Sequence, residues 1–123
     1  MPIAVIAVIA VFFLGMGVYA LAAPAALIRP FGITLEHPVS RSEVRAVYGG
    51  FGVAIAGVLV VAAVQSGGVR SGILIAVGAA LAGMAFGRVA AAVLGDRTSF
   101  YPNWFYCLVE ITAAAALLAV ALT

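Results

Sequence analysis

The chain has 123 residues, 67% of them hydrophobic and only 8% charged; its six basic residues are all arginine, and four residues are acidic. Soluble domains carry about 25% charged residues, so this composition excludes a water-soluble fold, a disordered chain, a nucleic-acid binder and a disulfide scaffold. With a mean hydropathy of +1.30, the chain belongs in a membrane.

Four apolar runs follow one another. The first extends from Pro2 to Ile28 and ends at Arg29-Pro30. Ala20-Leu21-Ala22 looks like a signal-peptide cleavage site, but no basic residue precedes the run, which also exceeds the roughly 7–15 residues of a signal core. It reads as a retained helix, with Pro24 kinking or ending its last turn. The second run starts near Glu43 and continues to Val64. Ser40-Arg41-Ser42-Glu43 has the spacing of a capping box, with Ser40 as N-cap and Glu43 reaching back to its amide. The turn Gln65-Ser66-Gly67-Gly68-Val69-Arg70-Ser71 leads into the third run, Gly72 to Leu94, interrupted only by Arg88. The fourth, about Asn103 to Leu122, is interrupted only by Glu110.

Each run is close to the roughly 20 residues that carry a helix across about 30 Å of hydrocarbon. Strands are excluded because no run alternates as a barrel strand must. The expectation is an all-α integral membrane four-transmembrane-helix bundle, a single membrane domain over residues 1–123 with helices at about 3–28, 43–64, 72–94 and 103–122. The first and third connections carry Arg29, Arg41 and Arg97 against Arg70 alone in the second. The positive-inside rule then puts those two connections in the cytoplasm and both termini outside. Loop three leads into Trp104-Phe105-Tyr106, residue types that favour the head-group level.

Glu43, Arg45, Arg88 and Glu110 stand out, because ionised groups inside a bilayer face the protein interior and pair. Arg88 lies about 9 Å inward from Leu94, and Glu110 about 10 Å inward from Asn103. Alternating crossings bring all four residues toward one leaflet. Asn103, Tyr106 and Glu110 share a stripe on the fourth helix, and Arg45, Tyr48, Gly49 and Gly52 another on the second. Gly83 and Gly87 are spaced as a small-xxx-small pair that would let a helix approach near Arg88, and the glycines of the second helix would do the same there. Two readings stand side by side. One is an internal Arg88–Glu110 salt bridge that fixes helix register; the other is a polar-headed pocket lined by Arg45, Tyr48, Arg88, Tyr106 and Glu110. Neither a metal nor another cofactor is expected. His37 is the only histidine and lies far in sequence from Cys107, and no phosphate-binding glycine loop or hydrolase arrangement is present.

The segment Glu43-Val44-Arg45-Ala46-Val47-Tyr48-Gly49-Gly50, with Gly87-Arg88 and Glu110, resembles the family catalogued as domain of unknown function 4345. That bacterial family has a first helix ending in a Pro-containing loop, E-[IV]-R-A-x-Y-G-G opening the second helix, a late Gly-Arg pair in the third and an early Glu in the fourth. The resemblance covers nearly the whole chain. It implies a four-helix protein of the bacterial inner membrane and groups these residues as one site, but it carries no activity.

The first expected function is binding of a membrane lipid or other amphiphile, with Arg45 and Arg88 holding its head and Tyr48, Tyr106 and Glu110 orienting it. The second is a small membrane enzyme acting on an isoprenoid, quinone or lipid, with Glu110 as catalytic acid or base. The third is a small proton-coupled transporter. Each version is expected to associate as a homo-oligomer, since four short helices expose a large lateral surface.

Overall fold

The computed structural model describes residues 2–123 as an all-helical chain; among the described residues there is no strand. Four helices are long and apolar enough to cross a membrane: Pro2–Ala22, Pro38–Val64, Gly68–Val93 and Phe100–Ala121. They fall into two compact units, residues 3–64 and 65–123, each a helical hairpin.

In the first unit, α1 (Pro2–Ala22) holds no charged residue and ends where the chain meets Pro24. Proline has no N–H to continue the ladder and pushes the residue before it out of the helical region. Ala23 accordingly adopts φ −141°, ψ 67°, and Pro24 opens a second short helix, α2 (Pro24–Ile28). The apolar run to Ile28 is therefore two helices rather than one. A 3₁₀ turn over Arg29–Phe31 ends at Gly32, whose φ of +75° suits glycine.

The next helix, α3 (Pro38–Val64), starts earlier than the capping-box pattern indicates. Its N-cap is His37, in extended conformation, and Pro38 occupies the first turn. Proline's fixed φ is suited to that position, where a missing N–H costs nothing. Ser40 and Glu43 consequently lie inside the helix and form no cap, which corrects the role expected of both. From Arg45 to Gly50 the helix widens into a π turn before regular winding resumes at Phe51.

α1 and α3 pack backbone against backbone. A Cβ on Gly17 would lie 2.7 Å from the Val53 amide nitrogen and 2.8 Å from the Gly49 carbonyl oxygen. One on Gly52 would lie 3.0 Å from both the Gly17 Cα and the Phe13 carbonyl oxygen. Small residues permit such close crossings, which hold helices together by dispersion where lipid offers no hydrophobic drive. Gly49 and Gly52 thus act as the sequence suggests. Gly83 and Gly87 do not: a Cβ on either would meet nothing within 4 Å.

In the second unit, α4 (Gly68–Val93) runs antiparallel to α5 (Phe100–Ala121). Gly67, at φ +68°, precedes α4. At its other end the Asp96 amide donates to the Ala91 carbonyl and the Gly95 amide to that of Ala92, with Gly95 at φ +112°. This is a Schellman closure, which needs glycine at its left-handed position. The first turn of α5, Phe100–Trp104, is wide and interrupted by extended Tyr101, ahead of Pro102.

The hairpin core is a row on each helix. Leu74, Val77, Gly78, Leu81 and Ala85 of α4 are buried, as are Cys107, Glu110, Ala114 and Leu117 of α5. Large apolar side chains stand on the outward surface: Val8, Val11 and Phe12 of α1 and Phe86 and Val93 of α4 are exposed. Such residues are solvated by lipid chains, and the architecture is that of a multi-pass membrane protein.

Candidate functional site

The contact rows of the α4–α5 hairpin each carry one charged residue. Three residues beyond Ala85 on α4 comes Arg88, and three beyond Cys107 on α5 comes Glu110, so helical spacing puts both on the contact face. They meet in a two-pronged ion pair: Arg88 Nε donates to Glu110 Oε1 at 2.8 Å and Nη2 to Oε2 at 2.9 Å. The third nitrogen, Nη1, donates to Asn103 Oδ1 at 3.1 Å. Planar guanidinium matches a carboxylate in this way and lysine does not.

The two partners differ in exposure. The Arg88 side chain remains 21% exposed while that of Glu110 is 7% exposed. The carboxylate is thus enclosed, and the cation forms the accessible side of the cluster. Tyr106 flanks it, with its ring centroid 6.0 Å from Arg88 Cζ, at the outer limit of a cation–π contact. That ring packs edge-on against Phe105 at 5.1 Å and tilted against Tyr101 at 6.2 Å. The result is an aromatic wall beside a half-buried guanidinium. Nearby, the Cys107 thiol points to the Ala85 carbonyl at 3.8 Å, which occupies it within the core.

Asn103 is the residue that the expected ligand set lacks. It lies seven residues before Glu110, on the stripe that carries Tyr106, so its place beside Arg88 was marked by periodicity alone. Its amide oxygen takes the donor that Glu110 leaves over. Among the described residues every buried side-chain nitrogen and oxygen atom has a hydrogen-bond partner, so this cluster is a satisfied network.

Arg45 and Tyr48 belong to the first hairpin. Arg45 is exposed, and its Nε donates to the Leu21 carbonyl oxygen at 3.0 Å. That carbonyl is available because the helix breaks at Ala23 and Pro24 before its usual partner can form. A cation at a helix C-terminus also meets the negative end of the helix dipole. Arg45 is therefore the clasp between α1 and α3. Tyr48, in the π turn, is half-buried. Among the described residues no three His, Cys, Asp or Glu side chains gather as a metal site would require.

No curated protein and no solved structure matches the chain. A family model, Domain of unknown function (DUF4345), matches residues 3–121. That match takes in both hairpins with the Arg45 clasp and the Arg88–Glu110 pair, and the chain belongs to this family.

Proposed function

We propose that the α4–α5 hairpin binds a lipid or other amphiphile, its polar head against Arg88 and Tyr106 and its apolar part along the hairpin's lipid-facing side. The observation that carries this reading is the asymmetry of the ion pair, an enclosed carboxylate with a partly accessible guanidinium. A head-group site needs an accessible polar edge at the end of an apolar surface, and the partly accessible guanidinium supplies one. Glu110 and Asn103 then hold the guanidinium in position, and Tyr106 offers a hydroxyl and a ring face. Both Glu110 oxygens are engaged by Arg88, which supports a positioning role for this residue over proton transfer.

Trp104, the only tryptophan, lies next to Asn103 and reports on the site. Titrating detergent-solubilised protein with a brominated-chain amphiphile is expected to quench its fluorescence saturably in wild type. In folded Arg88→Ala the saturable component is expected to disappear. Equal saturable quenching in both proteins would contradict the proposal.

The same reading takes the chain to be a bacterial inner-membrane protein with both termini outside, supported by the resemblance of the Glu43–Gly50 segment to a bacterial family and by the arginine bias of the connections. Cysteine-accessibility labelling at either terminus tests the orientation. Homo-oligomerisation belongs to it too, supported by the extent of exposed apolar surface; the stoichiometry in gentle detergent tests that part.

A further inference from the structure

We infer that Arg41 and Arg45 form a clip for the phosphate of an anionic phospholipid, a second lipid contact that is independent of Arg88. The Arg45 backbone N–H donates to the Arg41 carbonyl, so the two residues are one turn apart on α3. Residues at that spacing are neighbours on one helix face. The Arg45 guanidinium is anchored by Nε on the Leu21 carbonyl oxygen at 3.0 Å, which holds the group in place. Arg45 is exposed and Arg41 half-exposed. Among the described residues neither has a carboxylate within ion-pair distance. Glu43, two residues from each, projects to another side of the helix.

Two like charges stacked a turn apart repel one another. An anion held between them removes that repulsion, and guanidinium forks suit phosphate oxygens. The position along the helix identifies the source of the phosphate. Counting back from Val64, the roughly 20 residues that cross the hydrocarbon reach Arg45, which sets the clip at the depth of phospholipid head groups.

The experiment is native mass spectrometry of the full chain in detergent, titrated with phosphatidylglycerol, with phosphatidylcholine, and with phosphatidylglycerol in the presence of excess inorganic phosphate. Among the described residues the Arg41 side chain forms no hydrogen bond or ion pair, so Arg41→Gln is the clean variant; an unchanged melting temperature verifies its folding. Wild type is expected to retain phosphatidylglycerol over phosphatidylcholine, and Arg41→Gln to lose about fivefold in that retention, the factor that one basic residue supplies near an anionic surface. Arg45→Lys keeps the charge without the fork and is expected to weaken retention as well. The loss caused by Arg41→Gln is expected to be the same factor in wild-type and Arg88→Ala backgrounds, which separates this site from the one proposed above. Equal retention of the two lipids, or wild-type retention by Arg41→Gln, would overturn the inference. Displacement of the lipid by millimolar inorganic phosphate would overturn its assignment to a phospholipid.

Discussion

Replacing Gly17 by alanine adds one methyl group at the closest crossing of α1 and α3. Its carbon would lie 2.7 Å from the Val53 nitrogen and 2.8 Å from the Gly49 oxygen, where ordinary contact begins at 3.4 Å. Both neighbours are backbone atoms within a helix, so no side chain can swing aside, and the helices must part by about 0.7 Å. Inserting a methylene into a packed interior costs about 1–3 kcal/mol. Against that, alanine in a helix gains about 0.5–1 kcal/mol over glycine. The net expectation for Gly17→Ala is a loss of about 1–2 kcal/mol. Gly83→Ala supplies the control, because a Cβ there meets nothing within 4 Å. Only the helix-propensity gain remains, so Gly83→Ala is expected to be neutral or stabilising by up to about 1 kcal/mol. Reversible unfolding by denaturant titration in micelles measures both. The reasoning is refuted if Gly17→Ala proves as stable as wild type, or if Gly83→Ala destabilises as much as Gly17→Ala.

Further substitutions test the polar contacts and the turns. Glu110→Gln leaves the Arg88 guanidinium without its counter-charge and is expected to destabilise by about 2–4 kcal/mol, somewhat below the roughly 3–5 kcal/mol of a fully buried pair because Arg88 is partly exposed. Combining it with Arg88→Gln is expected to cost less than the two single substitutions together, and strict additivity in this cycle would contradict direct coupling. Asn103→Ala removes one hydrogen bond to a charged group and is expected to cost about 1.5–3 kcal/mol in the same unfolding titration. Gly95→Ala forces a Cβ onto a backbone at φ +112° and is expected to lower stability by about 1–3 kcal/mol.

The sequence makes the four long helices legible, because a membrane-spanning segment must be an uninterrupted apolar run and each run has the required length. The Arg88–Glu110 pair is legible for a related reason: charges at that depth must find one another, and only these two lie on adjoining helices at matching depth. Asn103 sits on a readable stripe, although periodicity does not say that its amide completes the guanidinium's bonding. Other features lack such signatures. Ser40-Arg41-Ser42-Glu43 has the spacing of a capping box, yet Pro38 starts the helix sooner because its ring already has the right φ. Arg45 grips the Leu21 carbonyl, a backbone acceptor exposed by the break at Ala23, and no residue type announces a backbone acceptor. Gly83 and Gly87 have the spacing of a helix-packing pair, but spacing does not tell which glycines face a neighbour. Gly17, Gly49 and Gly52 do, because they lie where α1 and α3 cross.

The account turns on whether the accessible edge of Arg88 holds an amphiphile. Native mass spectrometry of gently solubilised wild type, beside folded Arg88→Ala and Glu110→Gln, tests this most directly. We predict a defined additional mass on the wild-type protein that is lost from Arg88→Ala and reduced in Glu110→Gln. Bare wild-type protein of defined stoichiometry, or an identical set of adducts on all three proteins with none lost from Arg88→Ala, would contradict the account and leave the Arg88–Glu110 pair as a device that sets helix register.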